Sequence, residues 1–248
     1  MPANYARFLT GKHRTVAANR QLGFALAFVA GSLNAGGFLA VQQYTSHVTG
    51  MVSAMADNLA LGNLRLVWDG LAGVVSFLLG AMGCALLVNY ARRHRLSSEF
   101  ALPLMLEAVL ILCFGLLGPW LSHFEGILVP FTVVLLCFIM GLQNAVVTKL
   151  SNNVIRTTHL TGTVTDLGIE LGKLLYWNRL PDAPEPVRAD RDRLKVLLGL
   201  LASYALGGVV GAYGFKHLGY ASTVPLALLL ALVAIVPTWD DLRSYRPH

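Results

Sequence analysis

The sequence predicts an all-α polytopic membrane protein, with six transmembrane helices arranged as a 3+3 inverted repeat and two short re-entrant or half helices. Three observations predict it. Of the 248 residues, 55% are apolar and only 13% charged, a balance that soluble domains of this size rarely show. Six apolar runs are long enough to cross a hydrocarbon core of about 30 Å, which takes roughly 20 helical residues. A peptide, Ser46-His47-Val48-Thr49-Gly50, returns as Thr158-His159-Leu160-Thr161-Gly162, and similarity at a period near half the chain marks a duplication.

The first run, residues 22–41, follows a basic, polar N-terminal stretch and is longer than a signal-peptide core, so it reads as an uncleaved first helix. Segment 48–61 is short and carries Thr49, Asp57 and Asn58, which suits a half-crossing better than a span. Runs at 66–90, 103–121 and 127–148 follow, joined by tight connections. Pro103 stands where its helix opens, a position that tolerates a missing N–H. Segment 160–177 repeats the polar-studded character of 48–61. A linker at 178–195 sets Pro181, Pro184 and Pro186 among charges and cannot bury apolar surface. Runs at 196–215 and 220–239 complete one membrane domain, 1–248, whose related halves lie at about 20–122 and 127–240. Small residues at packing spacing, such as Gly207 with Gly211 and Gly80 with Ser76 and Cys84, permit close helix contact in lipid, within the chain or across a homo-oligomer.

Basic residues choose the topology, because Lys and Arg near helix ends stay on the cytoplasmic side. With the six long runs crossing and the N-terminus inside, seventeen basic residues lie inside and two, Arg65 and Lys216, outside. Letting the two short segments cross as well gives thirteen against six. Six crossings with both termini cytoplasmic are therefore expected. Each half then has three crossings, and an odd number turns the second copy upside down. The net charge of +6 is mostly topology, and its scatter over separate loops argues against nucleic-acid binding. Cys84, Cys113 and Cys137 stand singly in apolar runs, which suggests neither a disulfide framework nor a zinc site.

The repeated motif reads as a helix entrance. Thr49 and Thr161 are good N-cap residues, Gly50 and Gly162 allow close backbone approach, and Thr163 with Asp166 has capping-box spacing. Amides at such an N-terminus carry partial positive charge that suits an anionic group, and His47 and His159 add pH-sensitive donors. Taken as a helix from His159, the second segment puts His159, Thr163, Asp166, Glu170 and Lys173 in one sector of about 80°. Ionisable groups at membrane depth are functional candidates by default, although Lys173 is also close enough along a helix to satisfy Glu170. In the first copy Glu170 aligns with Asn58 and Asp166 with Ala54, so that stripe is nearly neutral. Asp57 reads either as functional or as a structural acceptor for the Asn34 amide or a backbone amide. Asn34, Gln42, Gln43, Gln143 and Asn144 supply uncharged donors and acceptors near the same level. Glu107 reads as an interfacial residue with Arg92 or Arg93 for a neighbour.

On Ser46 to Gly50, on Met140-Gly141-Leu142-Gln143-Asn144-Ala145 and above all on Arg156 to Gly168, the sequence resembles the YoaK-like family of bacterial integral membrane proteins, a domain of unknown function. The resemblance covers about residues 20–240 and implies a six-helix membrane protein with no established substrate. At Asn34 the chain departs from the acidic residue the family often carries in its first helix, which puts any charge role there in doubt. The function expected from all this is a small-solute transporter or channel, its path between the halves and proton coupling favoured. The alternative is a non-transporting accessory, sensor or scaffold protein. No HExxH, GxSxG or P-loop pattern points to an enzyme. No cofactor is expected, and the partners are the bilayer and a small solute.

Overall fold

A computed structural model describes residues 15–96, 99–120, 125–150, 160–177 and 186–244. Its regular elements are α1 Val16–Val41, α2 Val48–Ala60, α3 Leu64–Arg93, α4 Ala101–Leu117, α5 Glu125–Leu150, α6 Leu160–Leu175, α7 Arg191–Leu218 and α8 Thr223–Ser244, with 3-10 turns at Gly118–Trp120 and Gly219–Ser222. No strand occurs among the described residues. Five stretches are long and apolar enough to cross a membrane: Val16–Val41, Leu64–Arg93, Ala101–Trp120, Leu128–Lys149 and Arg191–Asp241. The last, 51 residues long, contains α7 and all but the end of α8. Gly219 divides them at φ +59, a left-handed conformation that favours glycine.

The helix ends extend the predicted runs by a few residues, and each extension has a local cause. Thr15 caps α1 by accepting the Ala18 N–H at 3.2 Å. Gln42, at φ 56, closes α1 by donating its N–H to the Phe38 carbonyl. Asp190 accepts from the amides of Asp192 and Arg193, both at 3.0 Å. Helix α7 therefore begins inside the predicted linker 178–195, whose residues 178–185 lie outside those described. Pro103 is the third residue of α4 rather than its opening one, still within the first turn, where amides have no helical acceptor. The short segments form helices of 13 and 16 residues, α2 and α6. At 1.5 Å per residue these are about 20 and 24 Å long, short of a hydrocarbon core.

The long helices pack chiefly as three pairs: α1 with α7, α3 with α5 and α4 with α8. Glycines make the first two pairs close. A Cβ at Gly31 would overlap the Tyr204 carbonyl oxygen, and one at Gly141 the Phe77 carbonyl oxygen. Likewise a Cβ at Gly207 would overlap the Phe28 carbonyl, and one at Gly80 that of Phe138. The correspondence is residue for residue: Phe28/Phe138 and Gly31/Gly141 share one sequence offset, 110, while Phe77/Tyr204 and Gly80/Gly207 share another, 127. Both pairs run parallel, since Phe28 meets Gly207 where Ser32 meets Gly211, and Ser76 bonds the Val134 carbonyl where Gly80 meets Phe138. The small-residue spacing seen in the sequence is thus used within the chain.

Around these crossings one apolar core collects Leu26 and Leu33 of α1, Ile111 and Phe114 of α4, Leu136 and Met140 of α5, and Leu200 of α7. The outward faces are apolar too: Val75, Leu78, Leu79, Met82 and Leu86 on α3, and Leu206, Val209, Val210 and Tyr213 on α7 are exposed. A helix apolar on all sides is suited to lipid on the side that protein leaves bare. Helices α2 and α6 sit differently. Each lies along the first turns of the long helix that follows it, α2 with Met51 and Met55 against Gly73 and Gly70 of α3, and α6 with Asp166 against Arg193 of α7. Each makes its extensive contacts there rather than with the other.

Candidate functional site

Within the first motif, geometry begins at the turn that follows α1. Phe38 stacks on Tyr44 at 4.6 Å between centroids, and Ser46 donates its hydroxyl to Asn34 Oδ1 at 2.9 Å. The Tyr204 hydroxyl of α7 joins the Ser46 and Asn34 side chains by hydrogen bonds. Asn34 is therefore a junction of α1, the turn and α7, and its partner is Ser46 rather than Asp57. His47 is the N-cap residue of α2, with no side-chain cap bond, and its carbonyl accepts the Met51 N–H at 3.0 Å. Thr49 lies inside the first turn and is exposed, so the cap stands two residues before the predicted threonine. The helix starts earlier because the His47 backbone already supplies the first acceptor.

The His47 ring folds back over Gly50, where a Cβ would stand 2.6 Å from its Cδ2. That contact explains the spacing of His and Gly in the motif. It also sets the ring at the wall of a cleft of about 390 Å³ bounded by α2, α3 and the turn, with Gln43, Tyr44, Asn58 and Asp69 among its other polar or aromatic lining. Sequence reasoning passed over Asp69. Its signal was a carboxylate one turn inside a membrane-length run. Asn58 bonds back to the Ala54 carbonyl at 2.8 Å and accepts from Asn63 Nδ2 at 3.4 Å. Asp57 is exposed and does not line the cleft.

In the second motif His159 lies outside the described residues. Thr161 and Gly162 are exposed in the first turn of α6, where the Thr161 carbonyl accepts the Thr165 hydroxyl at 2.8 Å. Thr163 is buried within the helix and Asp166 bonds Arg193 at 2.9 Å, so these two do not form the expected capping box. Of the predicted stripe Thr163 and Glu170 are buried, together with Leu167 from outside it, while Asp166 is partly exposed. Glu170 accepts Lys173 Nζ at 2.8 Å and the Asp190 N–H at 2.9 Å. Those bonds, the lysine's first, hold its carboxyl below the ordinary carboxylate value, with Arg193 adding to the effect. Asn144 is buried on α5. Apart from Asn144 and His159, the predicted site residues fall into three groups: His47, Gly50 and Asn58 at the cleft with Asn34 beside its turn; Thr163, Asp166 and Glu170 on the α6 segment that packs on α7; and Thr49, Asp57, Thr161 and Gly162 on exposed positions.

Glu107 departs from its sequence reading altogether. It is 0% exposed, with neither oxygen hydrogen-bonded, while Arg92 pairs with Glu99. The buried face of α4, Leu104, Ala108, Ile111 and Phe114, includes it, and helical phase rather than distance from the helix start decides its burial.

The family described as "Protein of unknown function (DUF1275)" matches residues 22–236. The chain belongs to the DUF1275 family. It is also 24% identical over 212 residues to the UPF0700 transmembrane protein YoaK of Bacillus subtilis (strain 168), an alignment covering 84% of this chain and 89% of that relative. No solved structure matches. With its apolar helices, this DUF1275 protein is a multi-pass membrane protein.

Proposed function

We propose that this DUF1275 protein is a small-solute carrier or channel of the bacterial inner membrane, built from two inverted halves with the solute path between them. The observation that carries the reading is the doubled crossing: α1 on α7 and α5 on α3 meet through corresponding residues, Gly31 on Tyr204 and Gly141 on Phe77. Six alternating crossings make α1 parallel to α7 and α3 parallel to α5, as the contacts run, and oppose α1 to its counterpart α5. Inverted repeats of this kind support alternating access, in which one half rocks against the other. Seventeen basic residues on the side of both termini support placing that side in the cytoplasm. The cleft at His47, Asn58 and Asp69 then opens at the outer face, and the α6 hairpin lies at the inner one. In this reading the partners are the bilayer and a small solute, with no catalysis and no cofactor.

Purified protein in liposomes, screened for flux driven by solute or pH gradients, tests the reading. Flux is expected, and His47→Ala and Asp69→Asn should lower it at least about tenfold in protein that remains folded, as loss of a buried polar contact to a bound solute does. Folded protein that moves no class of solute sinks it. A second reading, an accessory, sensor or scaffold protein, draws on the engagement of Asp166 and Glu170 with Arg193, Lys173 and Asp190, which suits a clasp. There Glu170→Gln lowers thermal stability and changes no flux.

A further inference from the structure

One acidic side chain outside both hairpins is wholly buried. Glu107 lies in the second turn of α4, its carboxyl wholly buried and neither oxygen hydrogen-bonded. Its stripe is otherwise apolar. Around it, the charged and titratable groups of the packed helices are few. On α3, Cys84 is buried and feels both Glu107 and Lys149 electrostatically, and Arg92 at the helix end is paired with Glu99. On α5, Lys149 occupies the last turn. On α8, Asp240 and Asp241 near the end have interactions of their own, and Arg243 lies over the Trp239 ring at 5.4 Å. No described cation makes an ion pair with Glu107. A lone carboxylate in such surroundings is costly, whereas the neutral acid forgoes only a hydrogen bond.

We propose that Glu107 is a proton-binding site of the membrane interior. In this conformation it holds the proton. When α4 parts from α5 or α8 and water reaches the carboxyl, the O–H bond breaks, its electron pair stays on the carboxylate and the proton passes to water. The ionised form fits only the opened arrangement, so proton occupancy and helix closure are linked. The site deepens the carrier reading, on which its coupling role rests, by giving that carrier its driving proton.

The experiment reads protonation rather than flux, so the two ideas fail separately. Infrared spectra of the full chain in liposomes at neutral pH are compared between wild type and Glu107→Gln. A carboxylic-acid carbonyl band present in the wild type and missing from the variant is expected; identical spectra in that region overturn the site. Thermal stability against pH gives a second measure. A carboxyl that is protonated when folded and ionised when unfolded makes folding take up a proton. The wild type should therefore lose stability as pH rises above the ordinary carboxylate range, while Glu107→Gln and the apolar Glu107→Leu stay flat. Parallel pH curves for all three overturn it. A wild-type band without flux sustains the proton site and counts against the carrier; flux without the band does the reverse.

Discussion

The carboxylate of Glu170 is covered by the chain leading into α7, yet donors converge on it: Lys173 Nζ at 2.8 Å, the Asp190 amide at 2.9 Å and the Arg193 guanidinium at 4.0 Å. All three favour the ionised form, so the folded value lies below the ordinary 4.5. A group lowered on folding stabilises the fold fully above its unfolded value and loses that contribution as pH falls through the folded one. The wild type should therefore lose apparent Tm on acidification below about pH 4.5, while Glu170→Gln starts lower at neutral pH and changes less. Equal pH slopes for the two proteins would falsify this role. A different residue-scale device operates at Gly50, where a methyl group would meet the His47 ring. Gly50→Ala should lift the ring from the cleft wall, read as faster reaction with a histidine-directed reagent, at a stability change under about 1 kcal/mol because the site is partly open. Unchanged reactivity would show that the ring has room. The charged face of α6 was legible from spacing alone, since Thr163, Asp166 and Glu170 need only a helical period. Its partner was not, because Arg193 is reached only when the chain returns from the intervening linker.

At the scale of elements, the two glycine crossings hold the halves together, and in lipid such contact rests on packing rather than on expulsion of water. Gly31 and Gly141 each lie against a carbonyl oxygen of rigid helix backbone, which cannot swing aside as a side chain can. Gly31→Val and Gly141→Val should each destabilise by about 1–3 kcal/mol, the usual cost of overpacking. Gly168→Ala is the control, exposed with nothing within 4 Å of the added Cβ. Thermal unfolding in detergent measures all three; similar losses for the two valines and none for the alanine are expected. A large loss for only one valine would break the equivalence of the crossings. Membrane-length helices were readable because apolar runs report them directly. Which helix each would meet was not: Gly80 and Gly207 advertise close packing, but Phe138 and Phe28 become their partners only through the fold. The burial of Glu107 was missed for a related reason, since an acid near a predicted helix start looks interfacial until the phase of the stripe through Leu104 and Ile111 is known.

For the whole molecule, the proposed inverted topology rests on the count of basic residues, which favours six crossings over eight. Contacts make α1 parallel to α7 and α3 parallel to α5, which agrees with the proposed six crossings and would agree with eight as well. Charge then chooses the side, because placing the termini outside would put seventeen basic residues there and leave two inside. In the proposed topology the two hairpins follow this division. The α6 and α7 hairpin, bearing Arg193, Lys173 and Lys195, falls on the basic side, while its counterpart at α2 and α3 joins Asn58 to Asn63 without charge. Single-cysteine labelling tests the arrangement in a background that lacks the exposed Cys113. Arg65→Cys and Lys216→Cys, at exposed positions, should react with an impermeant thiol reagent added to intact cells. Arg93→Cys and Arg243→Cys, equally exposed, should react only after the membrane is opened. Labelling of Arg65→Cys and Arg93→Cys from the same side would mean that α3 does not cross, and with it the inverted relation of the halves would be lost.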